Sequence, residues 1–502
     1  MRCNAILLAP RKRDALTRRQ VRYTIYQGKC RGHGPIPPPQ MMPALLFPSH
    51  WLTLHGMAVA SGLLVYVLAS HALHQRRHPA AAIGWVMVMV LVPYVGLPLY
   101  LLFGTRKLVR SGSHPPLCPE GPAIAGDDAW ARQLAAAMGQ PPVVSYENLR
   151  IHADGEKALQ ALWEVIDSAE RELDLCTFIL ARDEMGNALA ARLISKAREG
   201  VRVRLLLDGV GRWMGGRRDL HALESAGVQV TLFVPLVHSP LKGRTNLRNH
   251  RKLVVADSTR LWCGGRNFAV EYFEGTRKHA PWCDLSFDLC GPLARQAGEL
   301  FQRDWGFATG LPPIHTQHTT QSASPPFAQV VASGPDQADD TVHALLVTAC
   351  FNARHRIAAA TPYFVPGDAL VMALTLAAWR GVTVDLILPL RSNHRMADIA
   401  RYRALRDLAA AGAQVWFVPY MLHAKAVVVD DALAMAGSLN LDARSLFLNY
   451  ELMVAFYAAG DVRRFAGWLE GQREKAARYQ ARKPGLLREV GEGLVLWLAF
   501  QL

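Results

Sequence analysis

The chain has 502 residues, 51% of them hydrophobic and only 19% charged, with a net charge of +15. The length predicts about three domain-sized units, and the apolar balance is out of line with a purely soluble enzyme. Eight cysteines (Cys3, Cys30, Cys118, Cys176, Cys263, Cys283, Cys290 and Cys350) form no CxxC and no framework spacing, which argues for reduced, buried thiols and against a disulfide scaffold. The positive charge suits an anionic lipid surface, and a nucleic acid equally well.

Residues 1–50 read as a basic, disordered tail: 1–40 carry nine Lys/Arg against one Asp, including Arg11, Lys12, Arg13, Arg18 and Arg19. A lipid-binding tail is one reading, and translation from Met41 or Met42 is the other. Two stretches, 51–73 and 80–103, contain no Lys, Arg, Asp or Glu. Each reaches the roughly 20 residues a bilayer span needs. With the HQRRHP loop at 74–79 they predict a two-helix transmembrane hairpin over 51–104. Basic residues before the first span and at Arg106, Lys107 and Arg110, against Arg76 and Arg77 in the loop, place both termini in the cytoplasm.

Residues 105–142 form a Pro/Gly-punctuated connector. From there strands and helices alternate twice. In 143–309 the pattern predicts a helix at 157–169, a strand at 173–180, a helix at 188–198, a strand at 201–207 and a strand at 250–255. In 331–502 it predicts a strand at 357–360, helices at 368–380 and 396–411, and strands at 382–388 and 422–429. The polar run at 310–330 is the linker. This order argues an α/β sandwich in each half. The apolar run at 494–500 is too short to span a bilayer and either closes the core or lies in the interface.

One pattern occurs in both halves. The first copy is His250-x-Lys252-x4-Asp257-x6-Gly264-Gly265-x-Asn267, and the second is His423-x-Lys425-x4-Asp430-x6-Gly437-Ser438-x-Asn440. A given start matches six such positions by chance less than about once in 10^7. Extended chain puts His and Lys on one face at i and i+2. Gly265 and Ser438 let the backbone pass close to a bound group, and each Asn offers an amide donor. Two ammonium groups and two amides stabilise charge on one phosphate; two imidazoles supply a nucleophile and an acid. No metal is expected, because paired ammonium groups repel a divalent cation. Each working imidazole needs an acceptor behind it, and Asp284 and Glu451, 34 and 28 residues past the His of their own halves, are the candidates. Asp257 and Asp430 read as structural residues at strand ends. Arg444, Ser445, Tyr363 and Phe364 read as core packing.

The duplicated pattern resembles the phospholipase D superfamily, and the flanking runs TPYFVP (361–366), GVTV (381–384), MLHAK (421–425), LDARS (441–445) and NYE (449–451) resemble bacterial membrane-anchored cardiolipin synthases. The resemblance covers about residues 50–500. It implies two homologous phospholipase D-like α/β/α halves related by pseudo-two-fold symmetry. It implies transfer of a phosphatidyl group between two phosphatidylglycerol molecules, with no cofactor, at a bacterial inner membrane with the catalytic halves cytoplasmic. It favours His250 as nucleophile and His423 as acid, and an acidic residue holding each His. A phospholipase D, a phosphatidylserine synthase-like transferase or a nuclease of the superfamily would use the same residues. The membrane anchor gives a nuclease no advantage, so no nucleic-acid partner is expected.

Overall fold

The computed structural model describes residues 49–72, 79–104, 107–108, 126–235, 245–277, 279–311 and 325–499. The basic tail and the expected interhelical loop at 74–78 lie outside the described residues.

At the N-terminal end, α1 (Ser49–Ala72) is the one described helix long and apolar enough to cross a membrane. The expected second span is not one helix. It divides into α2 (Pro79–Leu91) and α3 (Pro93–Phe103). Pro93 has no N–H to donate and its ring clashes with the preceding turn, and Val92 leaves helical geometry at φ −139°, ψ 61°. The chain then folds back. Tyr100 of α3 lies with its ring 5.3 Å from Trp85 of α2 and 5.4 Å from Tyr66 of α1. In a straight helix, 15 residues would separate Tyr100 from Trp85 by about 22 Å.

The rest of the chain is built on two sheets. The strands of the first half are β1 (Val144–Ser145), β2 (Glu147–His152), β3 (Glu172–Thr177), β4 (Arg202–Asp208), β5 (Gln229–Phe233), β6 (Leu253–Ala256), β7 (Arg260–Gly264) and β8 (Ser286–Cys290). Those of the second are β9 (Phe327–Ser333), β10 (Arg356–Ala360), β11 (Phe364–Val365), β12 (Thr383–Pro389), β13 (Gln414–Val418), β14 (Ala426–Val429), β15 (Leu433–Gly437), β16 (Leu441–Asp442), β17 (Glu451–Phe456) and β18 (Ala477–Arg478). The first sheet runs β2-β8-β7-β6-β3-β4-β5, and the second contains β9-β17-β15-β14-β10-β12-β13 in the matching order. In each, three parallel strands (β3, β4, β5; β10, β12, β13) join an antiparallel meander. The central strands are apolar on both faces, as in Ala-Val-Val-Val of β14, because both faces are covered.

One core lies between the sheets. It takes Leu253, Val255 and Phe287 from the first, Val428, Val454 and Phe456 from the second, and the helices Pro292–Thr309 and Ala459–Arg473. Two further cores cover the outer faces. This is the expected α/β architecture with paired halves.

Three boundaries differ from expectation. The second half begins at Phe327, inside the segment assigned to the linker. Residues Val144 and Ser145, assigned to the first half, pair with β9 of the second. The connector contains α4 (Ala129–Ala137), whose buried Ala131 and partly buried Trp130 and Leu134 join the outer core of the second half. The C-terminal helix, Leu486–Ala499, packs on the helix Arg395–Ala410 through Arg406 and Glu492 at 2.6 Å.

Candidate active site

Neither motif histidine lies within a strand ladder. The expected strands at 250–255 and 422–429 begin late, at Leu253 and Ala426, each three residues past its motif histidine. The reason is that each His-x-Lys stretch pairs with the opposite half instead of its own sheet. His250 N donates to Tyr450 O at 2.9 Å, and Tyr450 N to Arg248 O at 2.9 Å. Cys283 N donates to Met421 O at 2.9 Å, and His423 N to Cys283 O at 2.7 Å. Two short parallel bridges thus join the halves at the motifs.

The bridges set which carboxylate meets which imidazole. His250 Nδ1 lies 3.0 and 3.1 Å from the two oxygens of Glu451. His423 Nδ1 lies 2.6 Å from Asp284 Oδ2. The two acids are thus found, but crossed: each stands behind the His of the other half. Sequence spacing pointed to the acids and could not show the exchange.

The glycine and serine of the motif stand against these acids. A Cβ on Gly265 would sit 2.3 Å from Asp284 Oδ1, so only glycine leaves room for that carboxylate. Ser438 Oγ donates to Glu451 Oε2 at 2.5 Å and accepts from Leu452 N at 2.9 Å.

The electrostatics favour neutral imidazoles. Burial and the Lys425 charge push His423 down to about 3 against the pull of Asp284. Burial also lowers His250, against Glu451 and together with Lys252 and Lys425. Burial would raise Asp284, but Lys425 and His423 outweigh it and hold it at about 2; Glu451 is lowered in the same way by His250. Two ionised carboxylates therefore face two neutral rings, with Nδ1–H directed at the acid and the lone pair on Nε2. Burial pulls Lys252 down to about 7 and Lys425 to about 8. Lys252 donates to His250 O at 2.6 Å, while Lys425 Nζ donates to His423 O and lies 2.7 and 3.1 Å from the ring nitrogens of His423.

Asn267 and Asn440 are 2% and 5% exposed. Asn267 Nδ2 lies 2.8 Å from Tyr272 Oη, and Asn440 Nδ2 lies 3.3 Å from Ser445 Oγ. Both amide oxygens are buried without a hydrogen-bond partner. The same offset of five residues supplies the hydroxyl in each half, a signal the sequence held and the motif comparison passed over. Ser445, read as core packing, is one of these hydroxyls.

Asp257 and Asp430 lie at the far ends of β6 and β14. Asp257 accepts from the backbone N–H groups of Glu170, Arg171 and Glu172 at 2.8–2.9 Å. Asp430 does the same for Arg354, His355 and Arg356 at 2.7–2.9 Å. Both bind the turn that starts the first parallel strand of their half, which is the structural role expected.

Sequence reasoning missed the aromatic walls and Arg251. Phe178 meets the His250 ring edge-on at 5.3 Å; Tyr272 and Trp282 lie 5.0 and 5.5 Å from His423. Arg251, fully buried, pairs with Asp304 and Asp336 and donates to Glu451 O at 3.0 Å, tying the halves beneath the site. Its counterpart in the second motif is Ala424, so repeat matching gave no signal. Among the described residues no group of three or more His, Cys, Asp or Glu is placed to hold a metal ion.

The profile described as "Cardiolipin synthase, PLD-like domain" matches residues 162–305 and 346–472, the two stretches that carry the crossed pairs. The chain belongs to the phospholipase D-type cardiolipin synthase family. A second profile, "Phospholipase_D-nuclease N-terminal", matches residues 62–104. Among curated relatives, cardiolipin synthase A of Pseudomonas aeruginosa (strain PAO1) is 34% identical over 83% of this chain and 88% of its own length. Cardiolipin synthase of Geobacillus kaustophilus is 31% identical over 76% and 80%. The crystal structure of Haemophilus influenzae phosphatidylserine synthase aligns with a TM-score of 0.57 at 13% identity, over 74% of this chain and 98% of that one, which is a likeness of fold. Family membership and the apolar α1 together make this a membrane-associated phosphatidyltransferase.

Proposed function

We propose that the chain joins two phosphatidylglycerol molecules into cardiolipin and glycerol, with the crossed His–carboxylate pairs as its catalytic centre. The observation that carries this reading is the geometry of those pairs. Two neutral imidazoles, His423 buried with Lys425 Nζ 3.1 Å from its Nε2 and His250 partly buried, stand with two lysines in one site. Such a site needs no cofactor.

His250 Nε2 attacks phosphorus, forming an N–P bond as the P–O bond to glycerol breaks. The anionic phosphodiester offsets the lysine charges, so His423 can hold a proton on Nε2 and pass it to the departing glycerol oxygen. The second phosphatidylglycerol then gives its hydroxyl proton to His423 while its oxygen attacks phosphorus. The N–P bond breaks and His250 regains its lone pair. Lys252 and Lys425 stabilise the charge on the equatorial oxygens. A half-turn of each Asn amide lets Tyr272 and Ser445 donate to Oδ1 and turns Nδ2 toward the phosphate, which satisfies the orphaned oxygens. Phe178, Tyr272 and Trp282 keep water from the phosphatidyl-histidine.

The substrates are anionic phospholipids of the bacterial inner membrane, and the catalytic halves work on the cytoplasmic side. Membranes containing the protein and labelled phosphatidylglycerol should yield cardiolipin and glycerol with little phosphatidic acid, and added glycerol should drive the reaction back. Phosphatidic acid as the main product, unaffected by glycerol, would make it a phospholipase instead.

A further inference from the structure

We infer that α2 and α3 form a re-entrant wedge, entering and leaving the bilayer on one face, so that the loop at 73–78 and the catalytic halves share that face while the start of α1 lies on the other. This rests on the reading that α1 crosses a membrane.

The lengths come first. α2 and α3 have 13 and 11 residues, about 20 and 16 Å of helix, against a hydrocarbon core of about 30 Å. Neither spans, and the fold does not let them add. Gly96 sits where a Cβ would be 2.9 Å from Val88 O, so the two helices touch on either side of the turn at Val92 and Pro93. Tyr94 lies 6.0 Å from His55, and Tyr100 lies beside Tyr66. As α3 proceeds it therefore climbs α1 in the same direction, back toward the end at which α2 began.

A turn at membrane depth must satisfy its own backbone. Val92 N donates to Val88 O at 2.9 Å, and Val92 O accepts from Val95 N and Gly96 N at 3.1 and 2.8 Å. Pro93 has no donor to satisfy. The carbonyl of Val90, freed at the end of α2, lies 3.2 Å from His55 Nε2 of α1. With a proton on Nε2 the ring donates to it. The surface of the turn is apolar: Leu91, Val92, Tyr94 and Val95 are 64, 49, 51 and 51% exposed. A contiguous apolar tip of this kind needs lipid around it.

The charge pattern agrees. Arg76 and Arg77 in the loop and Arg106, Lys107 and Arg110 after α3 fall on one face under this topology. The 17 residues before α1, 32–48, contain no Lys or Arg. Counted close to the span, the positive charge lies wholly on the catalytic side, which makes that side cytoplasmic. The basic run at 1–31 is too far from α1 to weigh as heavily.

Two positions decide the matter in the full, active chain: a Gln75→Cys variant labelled by a membrane-impermeant maleimide, with the wild type as blank, and a tag after Leu502. Both should be reached in inverted vesicles and protected in right-side-out vesicles. Reach from opposite faces would show that the second apolar stretch crosses the bilayer and would overturn the wedge. Reach of both from the outer face would overturn the orientation. Alkaline carbonate extraction, run first, separates these from failure of the premise: release of the protein would remove the crossing α1, and the wedge with it.

Discussion

The exchange of acids between halves makes single residues report on the opposite motif. Glu451→Gln removes the charge behind His250, and Asp284→Asn removes it behind His423. Each should cost at least about 10^2-fold in kcat, because the imidazole loses both its fixed tautomer and the charge that stabilises its proton. The sharper readout is spectroscopic. The ring resonances of His250 should move in Glu451→Gln and hold in Asp284→Asn, and those of His423 the reverse. Shifts confined to the same half would contradict the crossed arrangement. The lysines give a second test. Burial lowers them to about 7 and 8, so their charge is present below those values and lost as the pH rises through them. The pH profile of kcat/KM should fall across that range, while kcat holds to higher pH because a bound phosphodiester retains the protons. A flat kcat/KM profile there would mean that the ammonium charges are not used.

At the scale of elements, the motif joins two jobs at opposite ends of one segment. Its His-x-Lys end leaves the sheet to meet the other half, and its Asp end holds the turn that launches the neighbouring parallel strand. Asp257→Asn and Asp430→Asn keep the tolerance for the left-handed backbone seen at φ 51° and 47°. Each loses acceptor capacity for backbone N–H groups and should lower unfolding free energy by about 1–2 kcal/mol. Thermal unfolding in detergent should show the loss, with kcat per folded molecule nearly unchanged. Lost activity without lost stability would give these residues a chemical part.

The alternation of strands and helices was legible because β3, β4, β10 and β12 are mostly apolar, each of β3, β4 and β12 broken by one buried charge, and bounded by turns, and the motif carried the site residues directly. Two things were not legible. A run of 24 uncharged residues reads as one span in composition, although Pro93 stands in its middle; the fold-back depends on Gly96 meeting Val88 and on Tyr100 meeting Trp85, which are contacts rather than composition. The partner of each acid was equally hidden, because it is fixed by backbone bridges between residues some 140 to 200 positions apart.

At the scale of the molecule, the crossed pairs have the logic of an isologous interface: a residue in one half contacts a second in the other, and the reciprocal contact repeats it. A lone half would hold one imidazole and the other half's carboxylate, and so no complete pair. It could become competent only by meeting a second copy of itself, when both pairs would form at once. A gene carrying one motif would thus already encode a working dimer, and joining two such genes end to end would cost no chemistry. Once joined, the copies are free to drift apart while their contacts hold them to one another. This chain records that drift in matched places: Gly265 against Ser438, Asp284 against Glu451, Tyr272 against Ser445, and Arg251 against Ala424. In the first two the change on one side is answered by the residue it touches: the bare glycine stands against Asp284, and the serine hydroxyl against Glu451.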